Sequence, residues 1–184
     1  TEHDPYTNGL NGNEPWRPIS VFRTYESHVM QVRPELPQEI GEVTYVGLGM
    51  ADLTAFVPYY SGLKAYPQHY AIGTDKADND SIYWKYRKLQ TLVMTDYPQF
   101  APIVKKAYQE WEAKTALEQK EMEANYLSMS KKNKAAADNM LNEFNLRVMA
   151  DAEQLTENLT NQLFTLKTKN IQDEIFFANQ SKKD

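Results

Sequence analysis

The chain has 184 residues, of which 41% are hydrophobic and 24% charged, with a formal net charge of −5 and no cysteine. That length and composition fit a packed chain burying roughly 70% of its unfolded surface, and exclude a disordered one. The acidic balance disfavours nucleic acid, whose binding starts from a basic surface, and the missing thiols exclude disulfides, thiolate zinc sites and a cysteine nucleophile among these residues.

Residues 1–15 are polar and aperiodic, and read as an opened loop or linker ahead of one α+β domain over 16–184. Thr1 opens that loop, so it is not read as a nucleophile. Over 17–33, Ile19, Val21, Arg23 and Tyr25 alternate with Phe22, Thr24, Glu26, His28, Met30 and Val32, which predicts a strand. A turn bounded by Pro34 and Pro37 leads to a second alternating run over 42–50, with Val43, Tyr45 and Gly47 on one face and Thr44, Val46 and Leu48 on the other. The two predicted strands pair. Residues 55–60 suggest a short third strand, which Pro58 restricts to an edge or a bulge. Gly47 and Gly49 leave space for either tight packing or a close-lying backbone or ligand.

Helical patterns take over at about 80 and continue to about 178. Asp80 or Ser81 is placed to cap a helix reaching Tyr97, with Ile82, Tyr86, Leu89 and Val93 along one stripe. Pro98 and Pro102 mark a break and a new first turn. The second helix, over 101–130, carries Val104, Tyr108, Trp111, Met122, Tyr126 and Met129, and turns polar between 115 and 121. In the third, Leu141, Phe144, Val148, Ala152, Leu155, Leu159, Leu163 and Leu166 recur every three or four residues, which predicts an intramolecular seam against the second helix. An apolar knot, Ile171, Ile175, Phe176 and Phe177, precedes a polar end at 181–184.

Three groups of polar residues invite a chemical reading. Glu26 and His28, two apart on a strand, share a face and could act as acid and base or as metal ligands, though a metal needs a third ligand. Asp75, Asp78 and Asp80 resemble an oxygen-ligand loop without the Gly and Glu spacing of an EF-hand, so capping and turn formation explain them. Arg23 shares a face with Ile19 and Val21, where a guanidinium is costly unless paired; it is either a salt-bridge partner or a fork for a substrate carboxylate.

The runs RPISVFRTYESHVMQVRP, GEVTYVGLGMADLTAFVPYYSG and DNDSIYWKYRKLQTL, taken in that order, resemble the C-terminal portion of the C69 family of bacterial dipeptidases. The resemblance covers about residues 15–94. It implies an N-terminal-nucleophile hydrolase of αββα sandwich architecture, to which this chain contributes a small antiparallel sheet and three long helices. In that family the first residue of the mature enzyme is a cysteine whose thiolate attacks the peptide carbonyl, with the free amino group as base. The nucleophile is then upstream, and this chain alone is inactive. Arg23, Thr24, Glu26 and His28 match the family pattern, with Arg17, Pro18 and Arg33 on its flanks. Arg23 is the first candidate for the substrate pocket, with Glu26 and His28 beside it. The resemblance also implies dipeptide substrates and a cytoplasmic location; no cofactor or metal is expected, the charge and hydropathy predict no nucleic acid or membrane partner, and the exposed sheet edges of a part of a sandwich predict a homo-oligomer. The reading from another class is a non-enzymatic interaction module whose long helices serve for docking.

Overall fold

Regular alternation over 42–48 produces the middle strand of the sheet, β2 (Glu42–Leu48). The computed structural model describes residues 19–180 and the side chains of 19–176; the predicted linker, Arg17, Pro18 and the end at 181–184 lie outside the described residues. Antiparallel partners flank β2 in the order β1-β2-β3, with β1 spanning Glu26–Val32 and β3 spanning Val57–Tyr60. Tyr45 stands opposite Val29 on one side and Pro58 on the other. A single helical turn, α1 (Gln38–Gly41), joins β1 to β2 and buries Ile40.

The first strand is shorter than the alternation predicts. Of the described part of that run, 19–33, only 26–32 is pleated, and residues 22 and 23 form a turn in which the Thr24 N–H donates to Val21 O at 3.0 Å. Pairing stops because β2 ends at Gly49, whose φ of +77° turns the chain away after its N–H bonds Tyr25 O at 2.8 Å. That backbone angle suits glycine. A Cβ there would also lie 2.1 Å from Oε1 of Gln90, a fully buried amide that accepts from Met50 N and donates to the carbonyls of Leu48 and Leu53. At Gly47 the close neighbours are Thr54 and Phe56. The two glycines therefore admit the protein's own side chains, in line with the packing reading.

Pro58 does confine β3 to an edge. Residues 56, 58 and 60 turn their backbone nitrogens outward, and each is provided for differently: Phe56 N–H donates to Glu112 at 2.9 Å, Pro58 has no N–H, and Tyr60 N–H donates to Asn145 at 3.3 Å. Just beyond, Asn142 accepts from the N–H groups of Lys64 and Ala65.

The helices are α2 (Ile82–Val93), α3 (Tyr97–Ser130) and α4 (Lys134–Gln180). Asp78 organises the start of α2 by accepting from the N–H groups of Asp80 and Ser81, while the Ser81 hydroxyl donates to Ile72 O. Asp78 thus serves turn chemistry. α3 starts four residues before the predicted 101, because Asp96 caps it and Pro98 falls in the first turn, where no N–H is required. α4 is one unbroken helix of 47 residues, roughly 70 Å long.

α3 and α4 run antiparallel, as cross-helix pairs Tyr126–Asp138, Tyr108–Thr156 and Gln99–Asn170 record along their length. The predicted seam is buried at Leu141, Phe144, Val148, Ala152, Leu159 and Leu163, and half-buried at Leu155 and Leu166. The polar stretch of α3 is not solvent-facing throughout. Thr115 and Gln119 are buried, and Gln119 donates to the hydroxyls of Tyr45 and Tyr60 beneath it. No helix of the described residues is long and apolar enough to cross a membrane.

Candidate functional site

The turn that carries Arg23 is built from a distance. Arg87, on the flank of the α2 stripe, is only 7% exposed and points its guanidinium at the segment before β1. It donates to Phe22 O and, at 2.7 Å, to Thr24 O, and its remaining contacts are with the Tyr83 hydroxyl at 3.0 and 3.1 Å. The guanidinium carbon also lies 4.9 Å from the centre of the Phe22 ring and 5.5 Å from that of Tyr83. Among the described residues no carboxylate pairs with it. A buried cation without an anion is tolerated here because two carbonyl dipoles, a hydroxyl and two ring faces replace water.

A second anchor holds the same segment two residues upstream. Asp52 takes a hydrogen bond from the Ser20 hydroxyl, its own N–H donates back to that oxygen at 3.1 Å, and Tyr97 and Lys105 meet its carboxylate at 2.7 and 3.3 Å. Burial, then the hydrogen bond to Asp52, pushes the Tyr97 hydroxyl up to about 12. With Ser20, Phe22 and Thr24 fixed, the side chain between the last two projects outward. Arg23 is exposed and, among the described residues, makes no ion pair. The expectation that it shares an inward face with Ile19 and Val21 is corrected: Ile19 is fully exposed and the segment is not pleated. The arginine that is buried is Arg87.

Arg23 borders a cleft of about 540 Å³ whose other walls include Tyr25, Asp75, Tyr83, Trp84 and Arg87. Two guanidinium groups, one anchored and one exposed, stand with an aspartate among aromatic rings, a set able to hold a small zwitterion by its carboxylate and its ammonium group.

Glu26 and His28 do not line this cleft. His28 Nδ1 lies 2.7 Å from Glu26 Oε1 on the exposed face of β1, and no third ligand joins them among the described residues. His69 is occupied elsewhere, 2.8 Å from Glu153, whose other oxygen takes the Lys85 ammonium. Burial opposes ionisation of Glu153, but Lys85 and then His69 outweigh it and hold the carboxyl below its usual range. Arg33 is structural: both terminal nitrogens reach Glu123, at 2.7 and 2.8 Å, tying the end of β1 to α3.

Sequence reasoning missed Arg87. Its only local signal is Tyr83 one turn earlier and a position beside the apolar stripe rather than opposite it.

Residues 1–110, which include the anchored turn, the whole sheet and the cleft, match the sequence profile of a family of peptidases. The chain belongs to peptidase family C69. A probable dipeptidase of Salmonella dublin is 57% identical over 76 residues, covering 41% of this chain and 16% of that protein. Probable dipeptidase A of Streptococcus pyogenes serotype M18 is 29% identical over 101 residues, 53% of this chain and 21% of its own length. Dipeptidase A of Lactobacillus helveticus is 28% identical over 82 residues, 45% of this chain and 17% of its own length. The chain thus spans about a fifth or less of the length of these relatives.

Proposed function

We propose that this chain is part of a cytoplasmic dipeptidase with an N-terminal-nucleophile sandwich, and that its contribution is a wall of the substrate pocket centred on Arg23. The observation that carries the reading is the family match over residues 1–110, which takes in the turn that Arg87 and Asp52 hold in place. On this reading the cysteine nucleophile belongs to residues outside the chain, since the chain contains none.

The chemistry assigned to these residues is binding and orientation. A dipeptide presents a carboxylate and an ammonium group a few ångströms from its one scissile bond, so an enzyme that reads both termini also fixes the carbonyl. Arg23 forks onto the carboxylate, Asp75 faces the ammonium group, and Tyr25 and Trp84 flank the side chains. Arg87 is a positioning residue acting through the backbone carbonyls of Phe22 and Thr24. Glu26 and His28 form a hydrogen-bonded pair on the exposed face of β1, outside this cleft, and take no part in binding on this reading.

The test uses the protein at its natural length. Arg23→Ala is expected to lower kcat/KM for free dipeptides by about 10–100-fold with unchanged circular dichroism, and to lose much less on dipeptides whose carboxylate is amidated. Equal activity of wild type and variant on free dipeptides would overturn the assignment. Thiol alkylation is expected to abolish hydrolysis, and the 184-residue chain alone is expected to hydrolyse nothing.

A further inference from the structure

Among the described residues, the outer end of α4 carries an apolar stripe that α2 and α3 do not reach, and the reason lies in where those helices stop. α2 follows α4 upward: Lys85 pairs with Glu157, while Leu92 and Thr95 border a groove of about 530 Å³ together with Thr160 and Phe164. α2 then ends at Val93, and α3 begins at Tyr97, with Gln99 level with Asn170. Residues 171–180 therefore run roughly 15 Å past both neighbours. The face that α2 covers lower down emerges as Phe164, Ile171 and Ile175, which are 66%, 45% and 58% exposed. Their spacings of seven and four keep them on one stripe.

The charges beside that stripe say what fits it. Lys167 and Glu174 are seven residues apart, so they occupy the same angular position along one flank. Neither has an ion-pair partner among the described residues. If two copies of the segment lie antiparallel about a two-fold axis midway between Lys167 and Glu174, the Ile171 side chains of the two copies flank that axis. Lys167 then comes opposite Glu174 of the partner subunit, and by symmetry the reverse pair forms at the other end. The flank is self-complementary in the antiparallel orientation.

We infer that the projecting end of α4 is a dimerisation element, pairing antiparallel with the same helix of a second copy of this chain. That axis carries the end of each helix back towards the groove beside Phe164 of the other subunit, so the apolar walls at Leu92 and Trp84 lie next to the same contact. This inference is independent of the catalytic reading, because all its residues lie outside the stretch that matches the peptidase family, save those of the groove.

Sedimentation equilibrium of the natural-length protein tests it. The wild type is expected to dimerise, and Lys167→Glu or Glu174→Lys alone to weaken the dimer by about tenfold or more, since each places two like-charged pairs across the axis. The double variant K167E/E174K is expected to restore wild-type association. These side chains lie at the surface, so far-ultraviolet circular dichroism is expected to stay the same in every variant. A wild type that remains monomeric, single variants that associate normally, or a double variant that fails to recover would each overturn the inference.

Discussion

The two edges of the sheet are finished in different ways. On the β3 side, the outward N–H groups of Phe56 and Tyr60 are taken by Glu112 of α3 and Asn145 of α4, and the position between them is a proline with nothing to donate. On the β1 side no strand follows among the described residues, and Val29, Met30 and Val32 are 58%, 70% and 68% exposed. The difference teaches that helices can close a strand edge with single side chains, provided the strand is short. β3 has four residues and needs two acceptors; β1 has seven, with apolar side chains on both faces, and only another strand could serve it.

The largest effect is expected at the closed edge. Asn145 is fully buried, and Asn145→Ala strands the Tyr60 N–H and removes a donor to Leu141 O. A loss of about 1–3 kcal/mol is expected in urea denaturation. An unchanged midpoint would show that the edge does not need its cap.

Glu112 gives a smaller, pH-dependent effect. Burial raises its carboxyl above the usual value of 4.5, only partly countered by the Phe56 N–H. The folded state therefore holds the proton more tightly than the unfolded one. Its contribution is most favourable below about pH 4.5 and declines as pH rises through the folded-state pKa. Glu112→Gln keeps an oxygen for Phe56 N–H without the charge. The expected result in thermal melts from pH 4 to 8 is a flatter profile, with the variant equal to or above wild type at neutral pH.

The smallest effect on folding is expected at the open edge. Val29→Lys and Met30→Lys should change the stability of the 184-residue chain by no more than about 0.5 kcal/mol, while reducing its aggregation at high concentration in light scattering. A large destabilisation would mean that β1 is covered after all.

Much of this contrast was legible in the sequence. Alternation over 42–48 and Pro58 gave the middle strand and the edge, and the leucine stripe of α4 gave the seam, because both are repeats of local geometry. The start of β1 was not legible. Ile19, Val21, Arg23 and Tyr25 alternate as a strand would, but Arg87 and Asp52, 63 and 32 residues away from the atoms they hold, override that pattern. The burial of Thr115 and Gln119 escaped for a similar reason, since two tyrosine hydroxyls from the sheet make a polar lining the better one. The candidate site was half legible: the family pattern pointed to Arg23, and nothing local pointed to the arginine beneath it.

Pro58 bears on how this sheet can grow. In the language of polymerisation, β3 is a terminated end and β1 a live one: monomers of backbone can add only at Glu26–Val32, and only antiparallel or parallel to a strand whose far side is already sealed. Growth from such a unit is directional, and it stops after one addition if the incoming strand brings a terminator of its own.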